Sequence, residues 1–168
     1  EENGGGILVI TEGVYGMRGT QGKLKEICDL KSKYDFRLLV DDAHGFGVLG
    51  PGGRGTAAHF GLQDKVDLTM LTFSKSLASI GGCMLCSKKI YDYVAHSSRP
   101  FIFSASITPC SAATALAALQ QLEKDPERLD HALRQSARSV DKFWEYVKSD
   151  GACEEGPAYW GHAAGKLY

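Results

Sequence analysis

Arg37-Leu38-Leu39-Val40-Asp41-Asp42-Ala43-His44 is the stretch on which the fold turns. Its apolar residues run on without alternation, as in a strand covered on both faces, and they end in two acids and a histidine. Upstream, over 21–34, Leu24, Ile27, Cys28 and Lys31 fall at helical spacing, with Lys23, Lys25, Glu26 and Lys33 mostly opposite. That is an amphipathic helix. Further back, Ile7-Leu8-Val9-Ile10 reads as a short buried strand ending at Thr11-Glu12, followed by a loop over 13–19 that carries three glycines. Strand, helix, strand is the order that builds a parallel α/β sheet. Ligands of such sheets gather where the strands end at their carboxyl side, and Asp41 and His44 stand there.

Downstream the pattern repeats in Asp67-Leu68-Thr69-Met70-Leu71-Thr72-Phe73-Ser74-Lys75-Ser76. An apolar strand turns polar at its end and delivers one lysine at the rim of a core. Burial disfavours an ammonium, and a lysine with a lowered pKa attacks carbonyls. Thr72 and Ser74, two apart on an extended chain, offer hydroxyls to the same ligand. The plain alternative is a lysine that caps a strand and points into water, as most lysines do.

Between these strands, 45–55 is a glycine-rich connection containing Gly45-Phe46-Gly47-Val48-Leu49-Gly50, a match to G-x-G-x-x-G. A dinucleotide motif needs a helix opening directly from the glycines, and Pro51-Gly52-Gly53 prolongs the loop instead. Past the lysine, 82–86 reads as a strand, 88–95 as a short helix and Phe101-Ile102-Phe103 as a strand running into Ser104-Ala105-Ser106. Thr108-Pro109 carries a helix start, with Ala112, Ala113, Leu116, Leu119 and Leu122 marking a buried side. Asp125-Pro126 repeats the signal before a long amphipathic helix, and periodicity is lost from Ser149 onward.

The 168 residues, 43% hydrophobic, suffice for a real core and one domain. A net charge of −1 gives no electrostatic case for nucleic acid or an anionic membrane surface. No apolar run is long enough to span a bilayer. Five scattered cysteines suit reduced thiols in a cytoplasmic setting rather than a disulfide framework. Cys83 and Cys86 lie three apart on a strand, so they face opposite sides and make a poor zinc pair. A hydrolase nucleophile elbow is absent.

Asp41, His44 and Lys75, with hydroxyls beside the lysine, fit pyridoxal phosphate chemistry. There a lysine bonds the aldehyde, a carboxylate keeps the pyridine nitrogen protonated, and hydroxyls hold the phosphate. The motifs Val40-Asp41-Asp42-Ala43-His44-Gly45, Gly53-Arg54-Gly55, Thr72-Phe73-Ser74-Lys75-Ser76, Gly81-Gly82 and Arg99-Pro100-Phe101-Ile102-Phe103-Ser104-Ala105-Ser106 stand in an order specific enough to name a family. Over about 7–147 the chain resembles the α-oxoamine synthases, fold-type I pyridoxal phosphate enzymes that condense an amino acid with an acyl-CoA. The phrasing of 60–82 most resembles the serine palmitoyltransferase branch. Other branches are 8-amino-7-oxononanoate synthase and 2-amino-3-ketobutyrate CoA ligase.

The resemblance implies part of the large domain of the aspartate aminotransferase-like fold, a mostly parallel sheet with flanking helices. It places the second half of the cofactor-binding domain at 1–107, a helical segment toward a small domain at 108–148, and a tail unlike the family at 149–168. It implies that Lys75 is the Schiff-base lysine, Asp41 the partner of the pyridine nitrogen and His44 the histidine near the phenolic oxygen. Thr72 and Ser74 become phosphate ligands. Ser104 and Ala105 become the segment that reaches the phosphate of a neighbouring subunit in a homodimer with shared sites. Asp42 is read as structural. Family members are roughly twice this length or more, so the expectation is a fragment that is inactive alone. A scaffold subunit without catalysis is the competing expectation, and it sits poorly with the presence of Lys75, Asp41 and His44 together.

Overall fold

A computed structural model describes residues 5–125. Its centre is a four-stranded sheet in the order β1 (Leu8–Glu12), β4 (Arg37–Asp41), β5 (Leu68–Thr72), β6 (Gly82–Cys86). The first three strands run parallel and β6 runs antiparallel to β5. The sheet is therefore mostly parallel, as the α/β reading expects. Between β1 and the helix α1 (Leu24–Leu30), a small antiparallel hairpin of β2 (Val14–Tyr15) and β3 (Thr20–Gln21) occupies what the sequence presents as a plain loop. Two-residue strands carry too little periodicity to be read.

Leu24 and Cys28 of α1 are buried against Leu38 and Val40 of β4, with Phe36 beside them. Val9, Ile27, Phe60, Leu62 and Val66 close the edges of this core. Burying side chains the size of Leu24 and Leu38 contributes about 2 kcal/mol each. Beneath it, the Asp67 carboxylate joins three elements. It accepts from Lys31 at 2.5 Å, from Arg37 at 3.0 Å and from the Leu38 amide at 2.8 Å. Burial alone would raise its pKa, but the bonds from Lys31, Leu38 and Arg37 outweigh this and hold it below its ordinary value.

Three expectations are corrected. β1 is not a buried strand: among the described residues it is an edge whose second face is open, so Leu8 and Ile10 are 51% and 64% exposed. Phe101-Ile102-Phe103 is not a strand but the end of the helix α4 (Arg99–Phe103), which follows α3 (Lys88–Ser97). Pro100 lies in the first turn of α4, where no amide donor is needed, and the Ile102 amide donates to the Ser98 carbonyl at 3.0 Å. The aromatic and β-branched content suggested a strand, but the proline sets the backbone. In α5 (Pro109–Lys124) the buried side is not the one expected. Ala115 is buried, Ser111, Ala118 and Leu122 are half-buried, and Ala112, Ala113, Leu116 and Leu119 are exposed. Small residues allow close approach, and the Ser79 hydroxyl donates to the Ser111 carbonyl at 2.7 Å.

The start of α5 is as expected, with the Thr108 side chain accepting from the Ser111 amide and Pro109 at the first position. α3 is capped likewise by Ser87. The helix expected after Asp125-Pro126 and the tail lie outside the described residues. Among the described residues no helix is long and apolar enough to cross a membrane.

Candidate active site

Asp41 is the last residue of β4, and its register partner on β5 is Met70, two positions before Thr72. Both strands end at the same edge, so the acid and the hydroxyl-bearing turn emerge side by side. Asp41 is half-buried, and its carboxylate accepts from the Ala43 amide at 3.1 Å. The chain then winds a tight turn in which the amides of Gly45 and Phe46 donate to the Asp42 carbonyl at 3.1 and 2.9 Å. His44 stands exposed on this turn, its ring lying over Gly16 of the β2–β3 hairpin. A Cβ at Gly16 would fall 2.4 Å from the ring, so only glycine leaves room for the imidazole there.

Asp42 points the other way and is 1% exposed. Its carboxylate accepts from the Thr56 hydroxyl at 2.5 Å and from the Thr56 amide at 2.7 Å. Gly13, Gly45 and Gly55 crowd around it, and a Cβ at any of the three would stand within 2.4 Å of its oxygens. This buried pair ties the end of β4 to the start of the short helix α2 (Thr56–His59). It leaves Asp41 and His44 on the open side.

Lys75 lies in the loop that joins β5 to β6, and it is exposed. The expected rim of low dielectric is not formed by the described residues around it. The loop itself is firmly made. The Phe73 amide donates to the Gly81 carbonyl at 2.8 Å, Ser79 to Phe73 at 2.8 Å and Ala78 to Lys75 at 3.1 Å. Thr72 and Ser74 are brought together, with their hydroxyls 2.9 Å apart, as alternation along a strand end requires. Ser104 and Ala105 are exposed just past α4, in a segment whose Ile107 packs against Gly81.

Sequence reasoning missed two supports of this site: the glycine cage around Asp42 and the hairpin beneath His44. Gly13 and Gly16 were the available signal, but a glycine does not announce which side chain it makes room for. Four free thiols, Cys28, Cys83, Cys86 and Cys110, stand among the described residues. Burial pushes the Cys28 and Cys83 thiols up.

The chain is 54% identical over 127 residues to a cysteate-C-fatty acyltransferase of Capnocytophaga ochracea, a match covering 76% of this chain and 30% of the relative. Identity to a serine palmitoyltransferase of Bacteroides ovatus is 46% over 147 residues, covering 88% and 37%. An 8-amino-7-oxononanoate synthase of Exiguobacterium sibiricum is 44% identical over 123 residues, covering 73% and 32%. Among solved structures, the serine palmitoyltransferase of Sphingomonas wittichii superposes with a TM-score of 0.76 at 32% identity, over 85% of this chain and 36% of that one. A serine palmitoyltransferase variant from S. paucimobilis with a bound PLP–myriocin aldimine gives 0.69 at 36% identity, over 73% and 31%. The chain thus spans about a third of the length of these relatives. Residues 1–153 match the aminotransferase class I and II family, and the chain belongs to it.

Proposed function

We propose that the protein carrying these residues transfers an acyl group from acyl-CoA to the α-carbon of an amino acid, with pyridoxal phosphate as cofactor. Serine and a long-chain acyl-CoA such as palmitoyl-CoA are the substrates. The carrying observation is the single strand edge that presents Asp41, Thr72 and Ser74, with His44 and Lys75 exposed on the adjoining loops. The donor set fits the cofactor: one amine, one carboxylate, one imidazole and a hydroxyl pair, with the carboxylate half-buried and the amine and imidazole exposed. Identity to serine palmitoyltransferases and to a cysteate acyltransferase supports the same reaction class.

When bound, pyridoxal phosphate supplies an aldehyde for a lysine amine and a protonated ring that draws electrons from the substrate's α-carbon. Lys75 would be that lysine, and its Nζ would accept the α-proton. Asp41, oriented by the Ala43 amide, would supply the negative charge for the ring nitrogen. His44 would donate toward the phenolic oxygen, and Thr72 and Ser74 would donate to the phosphate. Ser104 and Ala105 serve the phosphate site of a second copy, which makes the working unit a homodimer with shared sites. In this reading residues 1–107 form the second half of the cofactor-binding domain, and the helical segment that begins at 108 leads toward a small domain. The setting is cytoplasmic, with any membrane contact peripheral.

Adding pyridoxal phosphate to the full polypeptide that carries this segment should raise an absorbance band near the visible edge, and Lys75→Ala should abolish it. No band with the lysine intact would overturn the reading in favour of a scaffold subunit. Assays with serine, cysteate, glycine and alanine against short and long acyl-CoAs then test the substrate. Faster turnover of alanine with a short chain would move the protein to the oxononanoate synthase branch.

A further inference from the structure

A hydrogen bond joins the lysine loop to the histidine turn. The Ser76 hydroxyl donates to the Phe46 carbonyl at 2.6 Å, joining residues 30 apart in sequence. Directly beside this bond, Gly47 has a φ of +78°, and a Cβ there would lie 2.4 Å from the Ser76 Cβ. The two loops are therefore in van der Waals contact, with a glycine where any side chain would push them apart. The contact is continuous with the site on both sides. The Phe46 amide is bonded to the Asp42 carbonyl, in the turn that carries His44. Ser76 follows Lys75 directly, and the next residue, Leu77, is 4% exposed and fixes the loop from below.

We propose that Ser76, seated against Gly47, is a positioning residue: its bond to Phe46 sets where the main chain of Lys75 stands relative to Asp41 and His44. This rests on the reading of Lys75 given above. The Lys75 side chain is exposed and has many rotamers, so its placement depends on the anchoring of its main chain. A pre-organised base shortens the search of a long side chain for its partner, and small misplacements of reacting groups are costly in rate.

The test compares Ser76→Ala, Ser76→Thr and the parent in the full polypeptide with bound pyridoxal phosphate. Three quantities are read: the pH midpoint of the cofactor band, kcat with KM, and amide hydrogen exchange over 73–81. Ser76→Ala should move the midpoint by about half a pH unit or more. It should lower kcat about tenfold with KM within about twofold, and exchange over 73–81 should quicken. Ser76→Thr, which keeps the hydroxyl, should return all three toward the parent. Faster exchange with an unmoved midpoint and kcat would reduce Ser76 to a structural contact and overturn the proposal, as would no change in any of the three. A parent without a cofactor band would instead overturn the reading of Lys75, and the positioning role with it. Exchange would still show whether the two loops are held together.

Discussion

Asp42 and Thr56 are the buried polar residues of the described chain, and they hold each other. A carboxylate that is 1% exposed and bonded twice by one threonine leaves both Thr56 donors unpaired when it is removed. Asp42→Ala should therefore lower stability by about 3 kcal/mol, read as a fall in the urea midpoint. Gly55→Ala should destabilise as well, since Gly55 has a φ of +93° and its Cβ would meet the same carboxylate at 2.0 Å. The division of labour within Asp41-Asp42 is partly legible in the sequence. Adjacent residues leaving a strand point to opposite sides, so one acid had to turn inward. What the sequence could not show is the receiver, Thr56, because nothing in its own neighbourhood marks it as the partner of a residue fourteen positions earlier.

At the scale of elements, Asp67 ties α1, β4 and β5 together from below the core. Its folded-state pKa is depressed below the ordinary 3.8. The stability this contributes is present above that ordinary value and is lost as the pH falls through the lower folded one. As the pH falls from neutral into the acid range, the urea midpoint should accordingly drop more steeply in the parent than in Asp67→Asn, which should be weaker at neutral pH and flatter in acid. Farther along the chain, Thr108→Ala removes the cap of α5 and should cost about 1 kcal/mol. The helicity of α5 followed from its sequence. The face it buries did not, because Ser111 and Ala115 are small and are chosen by the approach of Ser79, whereas hydropathy favours Leu116 and Leu119.

At the scale of the whole molecule, the described residues leave apolar surface open. Leu8 and Ile10 face outward from β1, and Tyr93, Phe101 and Phe103 are 71%, 62% and 82% exposed on α3 and α4. Beside them, Met70, Met84 and Phe101 line an apolar cleft of about 660 Å³. Patches of this kind drive association when uncovered. The 168-residue chain purified by itself should sediment as mixed oligomers, and Ile10→Thr with Phe103→Ser should shift it toward the monomer. A monodisperse monomer before substitution would show that the surface is tolerated in water. The α/β class was legible because β1, α1 and β4 repeat a pattern that hydrophobic spacing reveals. The orientation of β6 was not, since an apolar strand reads the same in both directions.

That reversal of β6 bears on how the lysine loop can change over evolutionary time. A parallel neighbour would require a long crossover, which absorbs insertions freely. Here the loop over 73–81 is closed at its base by the pairing of Thr72 with Gly82 and by the Phe73–Gly81 bond. An added residue must either bulge outward or slip the register and turn every β6 side chain to the other face. Length variation should therefore accumulate in the Pro51–Gly53 turn, where Gly52 has open space around it, while the span from Thr72 to Gly82 keeps a fixed count.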